Sequence, residues 1–125
     1  MHLFDSDILI DYLRLHPPAV AFLDAIKKKE RTIALISVFE LLKGCANKTQ
    51  EARINRFLKH FTILPLNEKI AKTALEIYRV KRWAFGIGIV DCFIAATAIV
   101  NRTPLVSRNI KHYKGISSLK LETPY

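Results

Sequence analysis

The stretch that most constrains this chain is IVDCFIAATAIV, residues 89–100, in which Asp91 is the one charged side chain. A helix that is apolar on all sides belongs inside a protein or a membrane. A carboxylate carried into such surroundings must be paired, protonated or bound to a metal, because burying it alone is too costly. Extended back to Trp83, the segment reaches 18 residues with one charge. A bilayer span needs about 20 apolar residues, and an Asp near its centre costs roughly 2.5–3.5 kcal/mol. Gly86 and Gly88 also interrupt the run, so it reads as a buried helix entered from a glycine-containing turn. No basic residue lies within one helical turn of Asp91. The local alternative is capping, through the N–H groups and dipole of the helix N-terminus.

Around this helix, short apolar runs alternate with longer helical ones, the signature of an α/β fold. HLF (2–4), TIALIS (32–37), TILPL (62–66) and PLVS (104–107) read as strands. LKLE (119–122) is a possible fifth, at an edge because Lys120 and Glu122 alternate with leucines. Helices are expected over 6–15, from Pro18 to about 29, 37–47, 51–61, from Asn67 onward, and 89–101. Asn67 reads as the N-cap of its helix. In 51–61, Ile54, Phe57, Leu58 and Phe61 share one face. Right-handed crossovers then imply a three-layer α/β/α domain with a mostly parallel, four- to five-stranded sheet. At 125 residues, one domain over 1–125 is expected.

In open α/β sheets the active site lies beyond the carboxyl ends of the strands. Asp5, Ser6 and Asp7 follow the first strand, Glu40 lies early in the helix after the second, and Arg108 and Asn109 follow the fourth. Asp91, at the start of a crossover helix, should meet the same rim. Each has a plainer explanation. Asp5 or Ser6 can be an N-cap. Glu40 stands three residues after Ser37, the spacing of a capping box. Asn109 can be a turn residue. Taken together, converging carboxylates repel one another unless a cation is present. An oxygen-only site without His or Cys suits a hard cation, Mg²⁺ or Mn²⁺.

The chain carries 20 Lys and Arg against 11 Asp and Glu, a net charge of +9. A basic surface around an acidic metal site suits a phosphodiester substrate. The start, MHLFDSDILIDYL, has acids and no basic n-region, so no signal peptide is expected. Two cysteines, Cys45 and Cys92, with no metal-binding spacing, suggest free thiols in a reducing cytoplasm.

Four segments, FDSDILIDYL (4–13), ISVFELLKG (36–44), VDCFIAATAI (90–99) and LVSRNIKHY (105–113), together resemble the PIN-domain ribonucleases, and among them the VapC-type toxins. The resemblance covers essentially the whole chain. It implies catalytic roles for Asp5, Ser6, Glu40, Asp91 and Asn109, with Asp5, Glu40 and Asp91 as ligands of Mg²⁺ or Mn²⁺. It also implies RNA as substrate, a homodimer, a cognate antitoxin, and no membrane partner. Asp7 stands where the family often has Asn, and Asn109 where many members carry a fourth acid. Arg108 is the nearest expected phosphate contact, with Lys43 and Lys111 as further candidates.

Two alternatives stay open at this point. A phospho-acceptor receiver-like domain shares the small α/β fold and acidic rim, but needs an acceptor Asp where this chain has Asn67-Glu68. A non-catalytic RNA- or antitoxin-binding module would keep the fold without turnover.

Overall fold

Five short strands, β1 (His2–Phe4), β2 (Arg31–Ala34), β3 (Thr62–Leu64), β4 (Leu105–Val106) and β5 (Leu121–Glu122), form one sheet in the order β3-β2-β1-β4-β5. Every pairing is parallel. This computed structural model describes residues 1–125, with every side chain except that of Phe85. The helices are α1 (Ser6–Leu13), α2 (Pro17–Asp24), α3 (Leu35–Lys43), α4 (Lys48–Leu58), α5 (Glu68–Phe85), α6 (Ile89–Val100) and α7 (Ile110–Tyr113).

Side chains alternate across a strand, and that period places two cores on the two faces of the sheet. Leu3 and Leu105 point into a core shared with α5 and α6, while Phe4 and Val106 point into one shared with α1, α2 and α4. Tyr12, Phe22, Phe57 and Phe61 belong to the second core. Ala95, Ala96 and Ala98 are all buried on α6, where small side chains allow close packing. Asn67 caps α5, its Oδ1 accepting the Ile70 N–H at 2.9 Å. The edge position expected for the last strand is the one β5 takes. The receiver alternative falls on strand order, since that fold runs 2-1-3-4-5.

Several boundaries differ from expectation. The second strand ends at Ala34, and Leu35, Ile36 and Ser37 already belong to α3. A short apolar run does not distinguish a buried strand from the buried first turn of a helix. α1 stops at Leu13, α2 at Asp24, and α3 at Lys43 beside Gly44; a 3₁₀ turn occupies Lys28–Glu30. α4 starts earlier than expected because Asn47 caps it, accepting the Gln50 N–H at 2.9 Å. The third strand ends at Leu64, and the four-residue α7 was not foreseen. Both cysteines are free. Among the described residues, no helix is long and apolar enough to cross a membrane.

Candidate active site

Strand order reverses between β1 and β4, which are neighbours in the sheet but far apart in the chain. Such a switch point opens a crevice at the carboxyl ends of the strands. Asp5 follows β1 there, and its N–H donates to the Val106 carbonyl at 2.9 Å. It is also the N-cap of α1, with Oδ1 accepting the Ser6 N–H at 2.8 Å. Its other oxygen, Oδ2, accepts from Ser107 Oγ at 2.7 Å and from the Tyr113 hydroxyl at 3.1 Å. The capping explanation is therefore correct for Asp5, yet it occupies only one of the two oxygens. Burial above all, then the charge of Asp7, pushes the Asp5 carboxyl up to about 7, although the donors from Ser107 and Tyr113 oppose this.

Asp91 lies in the first turn of α6 but caps nothing there. Its Oδ1 accepts from the Tyr113 hydroxyl at 3.2 Å, and its Oδ2 lies 2.8 Å from His112 Nδ1. That ring nitrogen is also 2.9 Å from the Asn109 side-chain amide. One nitrogen cannot donate to a carboxylate and accept from an amide N–H at once. The Asp91 carboxylate favours the proton on Nδ1, a tautomer in which the Asn109 amide cannot donate to that nitrogen. Burial, with both acids adjacent, holds the Tyr113 phenol protonated, so it acts as a donor.

Glu40 enters from α3 and accepts from Ser6 Oγ at 3.0 Å. The capping-box explanation fails, because α3 begins before Ser37 and Ser37 Oγ is buried with no partner. Burial raises the Glu40 pKa; the Ser6 hydrogen bond opposes this, while Asp91 and Asp7 add to it. Asp7 fastens the β4–α7 loop, its Oδ2 accepting the Arg108 N–H at 3.1 Å. Its pKa too is raised, chiefly by burial.

The fold thus brings Asp5, Ser6, Glu40, Asp91 and Asn109 to one rim. The cationic candidates are more dispersed. Arg108 NH1 pairs with Asp11 at 3.6 Å and its guanidinium lies over the Tyr125 ring. Asp11 also accepts from the Tyr125 hydroxyl at 2.8 Å, so it ties that residue to α1. Lys43 and Lys111 are exposed, and Lys43 is close enough to favour the charged form of Glu40.

Sequence reasoning missed Ser107, His112 and Tyr113. Ser107 carried a usable signal: it immediately follows β4, as Asp5 follows β1. The other two sit on a helix too short to show a period.

The donor chemistry fits a hard cation. Asp5, Glu40 and Asp91 offer carboxylate oxygens, Asn109 a carbonyl, and the buried Asp7 Oδ1 has no hydrogen-bond partner. Among the described residues, however, no three His, Cys, Asp or Glu side chains stand as a closed metal-binding set. The hydroxyl of Tyr113 lies between Asp5 and Asp91, and that of Ser6 is bonded to Glu40. This suits Mg²⁺, which is usually held by one or two carboxylates and keeps several waters.

The PIN domain family matches residues 3–115. Ribonuclease VapC10 of Mycobacterium tuberculosis is 36% identical over 123 residues, covering 96% of this chain and 91% of that one. Ribonuclease VapC1 of Methanocaldococcus jannaschii is 30% identical over 121 residues, covering 96% of this chain and 84% of that one. Among solved structures, a chain of a toxin–antitoxin complex from Klebsiella pneumoniae aligns with a TM-score of 0.83 and 31% identity, covering 100% of this chain and 98% of that one. The matched residues include all of the acidic rim described above, and the chain belongs to the PIN-domain family, in its VapC branch.

Proposed function

We propose that this protein is a Mg²⁺- or Mn²⁺-dependent endoribonuclease, the cytoplasmic toxin of a toxin–antitoxin pair, neutralised by a cognate antitoxin. The ribonuclease relatives and the toxin–antitoxin neighbour support this reading. The observation that carries it is the Asp5–Asp91 pair, two carboxylates drawn to one buried hydroxyl with Asp7 adding to the charge. Such a pair calls for a cation.

Asp5 and Asp91 are the ligands, with Glu40 as a third ligand or as the base. When bound, the cation neutralises phosphate charge and lowers the pKa of a water. Glu40, steered by Ser6 and made more basic by burial, takes the proton of the attacking water. Asn109 supports the cation or its water. Arg108, Lys43 and Lys111 draw the RNA backbone to the rim.

For the antitoxin, a groove of about 410 Å³ runs between α1, α3 and α4. Ile10, Leu13, Leu41 and Ile54 form its apolar lining, with Arg14 and Arg53 beside them, and Glu40 brings it to the acidic rim. For the homodimer, the support is exposed apolar surface: Trp83 is 80% exposed and Val80 69%.

The test is RNA cleavage by wild type, Asp5→Ala and Asp91→Asn with Mg²⁺, with Mn²⁺ and with EDTA. Cleavage confined to wild type with a divalent cation is expected. Full activity in either variant, or in EDTA, overturns the metal mechanism. RNA binding without cleavage under every condition would favour the non-catalytic module.

A further inference from the structure

Asp5 and Asp91 come from different parts of the chain, the end of β1 and the first turn of α6. One side chain accepts from neither and donates to both. The Tyr113 hydroxyl lies 3.1 Å from Asp5 Oδ2 and 3.2 Å from Asp91 Oδ1. Its ring is 1% exposed and belongs to the core cluster that contains Leu3, Cys92 and Leu105.

We propose that Tyr113 is a positioning residue whose hydroxyl sets the spacing of Asp5 and Asp91, and thereby the affinity of the pair for a divalent cation. The inference rests on the metal-dependent reading above.

A single O–H cannot align fully with two acceptors. Hydrogen bonds from a hydroxyl to one carboxylate run to about 2.5–2.7 Å, and both contacts here are longer. The hydroxyl is therefore shared, and its place is set by the packed ring rather than by the pull of either acid. The ring cannot follow one carboxylate without opening a void in the core, and interiors resist such voids. The choice of residue also matters. A lysine in this place would neutralise the pair and remove its need for a cation. A phenol holds the two acids at a fixed separation and leaves both charges available.

α7 ties this arrangement to its surroundings. His112, the preceding residue, holds the other oxygen of Asp91, and Ser107 holds the same oxygen of Asp5 that Tyr113 does. Loss of the phenol oxygen alone therefore leaves Asp5 held by Ser6 and Ser107 and Asp91 held by His112, but leaves no single group that touches both acids.

Tyr113→Phe keeps the ring and removes the link. Mn²⁺ affinity is measured by isothermal titration calorimetry on wild type and variant, with circular dichroism of the metal-free proteins alongside. The expected result is about tenfold weaker Mn²⁺ binding by the variant, with the fold kept. RNA cleavage should fall at limiting Mn²⁺ and recover at saturating Mn²⁺, with KM for RNA unchanged. A purely structural role for the ring would move none of these. Equal Mn²⁺ affinity in the two proteins overturns the proposal and leaves the metal reading intact. No Mn²⁺ binding by wild type overturns both. A variant that fails to fold makes the hydroxyl a folding determinant, which also overturns it.

Discussion

Ser6 Oγ donates to Glu40 Oε1 at 3.0 Å, joining the first turn of α1 to α3 across 34 residues of sequence. The bond holds one of the two Glu40 oxygens and so restricts the turning of the carboxylate. A hydrogen bond to a charged group contributes about 1.5–3 kcal/mol, and a freely turning base loses much of its alignment. Ser6→Ala should lower kcat at least about tenfold with little change in KM. Ser6→Thr should restore most of it. Steady-state cleavage of a short RNA checks both, and a Ser6→Ala variant of normal kcat would remove Ser6 from the machinery.

Asp5 makes stability depend on pH in an unusual direction. Its carboxyl is raised from 3.8 to about 7 in the folded protein, chiefly by burial. The folded state therefore holds this proton more tightly than the unfolded chain does. Stability from this group is complete below about pH 4 and is lost as pH rises towards 7. The upper bound is about 4 kcal/mol, at about 1.4 kcal/mol per pH unit. Asp7 and Glu40 shift in the same direction. Urea unfolding in EDTA should show the wild type weaker at about pH 8 than at about pH 5, with a smaller difference for Asp5→Asn. Adding Mn²⁺ at the higher pH should restore stability to wild type and not to the variant.

The acids were legible in the sequence because their positions follow from topology. Asp5 had to follow β1, and Asp91 stood out against an apolar helix. The site's other partners follow from contacts that no local pattern encodes. Tyr113 reaches Asp5 across 108 residues and Asp91 across 22. It does so from a four-residue helix, too short for a hydrophobic period. Glu40 was legible as an acid, but the capping-box alternative offered by its spacing from Ser37 fails in the fold. The apolar residues Leu35 and Ile36 continue the strand's hydrophobic run into the helix, which hid where α3 begins. Asp11 and His112 carry no local signal of their roles for the same reason: their partners, Tyr125 and Asp91, are close only in the folded chain.

Trp83 is the one tryptophan of the chain and is 80% exposed on α5. Val80, three residues earlier on the same helix, is exposed too, and neighbouring exposed apolar side chains of this kind mark an interaction surface. If copies of the chain associate through this face, Trp83→Glu should shift the protein from dimer to monomer in sedimentation velocity. Wild-type tryptophan emission should move to shorter wavelength as protein concentration rises. A variant that remains a dimer places the interface elsewhere.

Asn109 is the position where charge can be added to the rim without removing an existing acid. Its backbone N–H donates to Ser107 Oγ at 2.9 Å, and its side chain faces His112, which in turn holds Asp91. Asn109→Asp keeps the backbone bond and offers His112 a second carboxylate. That draws the imidazole away from Asp91 and frees an Asp91 oxygen for a cation. The added charge also increases repulsion with the neighbouring acids when no cation is present. Mn²⁺ should therefore bind the variant more tightly, by about tenfold for each 1.4 kcal/mol gained. Its metal-free form should melt below wild type, and the order should reverse at saturating Mn²⁺. Calorimetric titration with melting curves measures both. Unchanged affinity would mean that position 109 lies beyond the reach of the cation, and that Asn109 serves the loop alone.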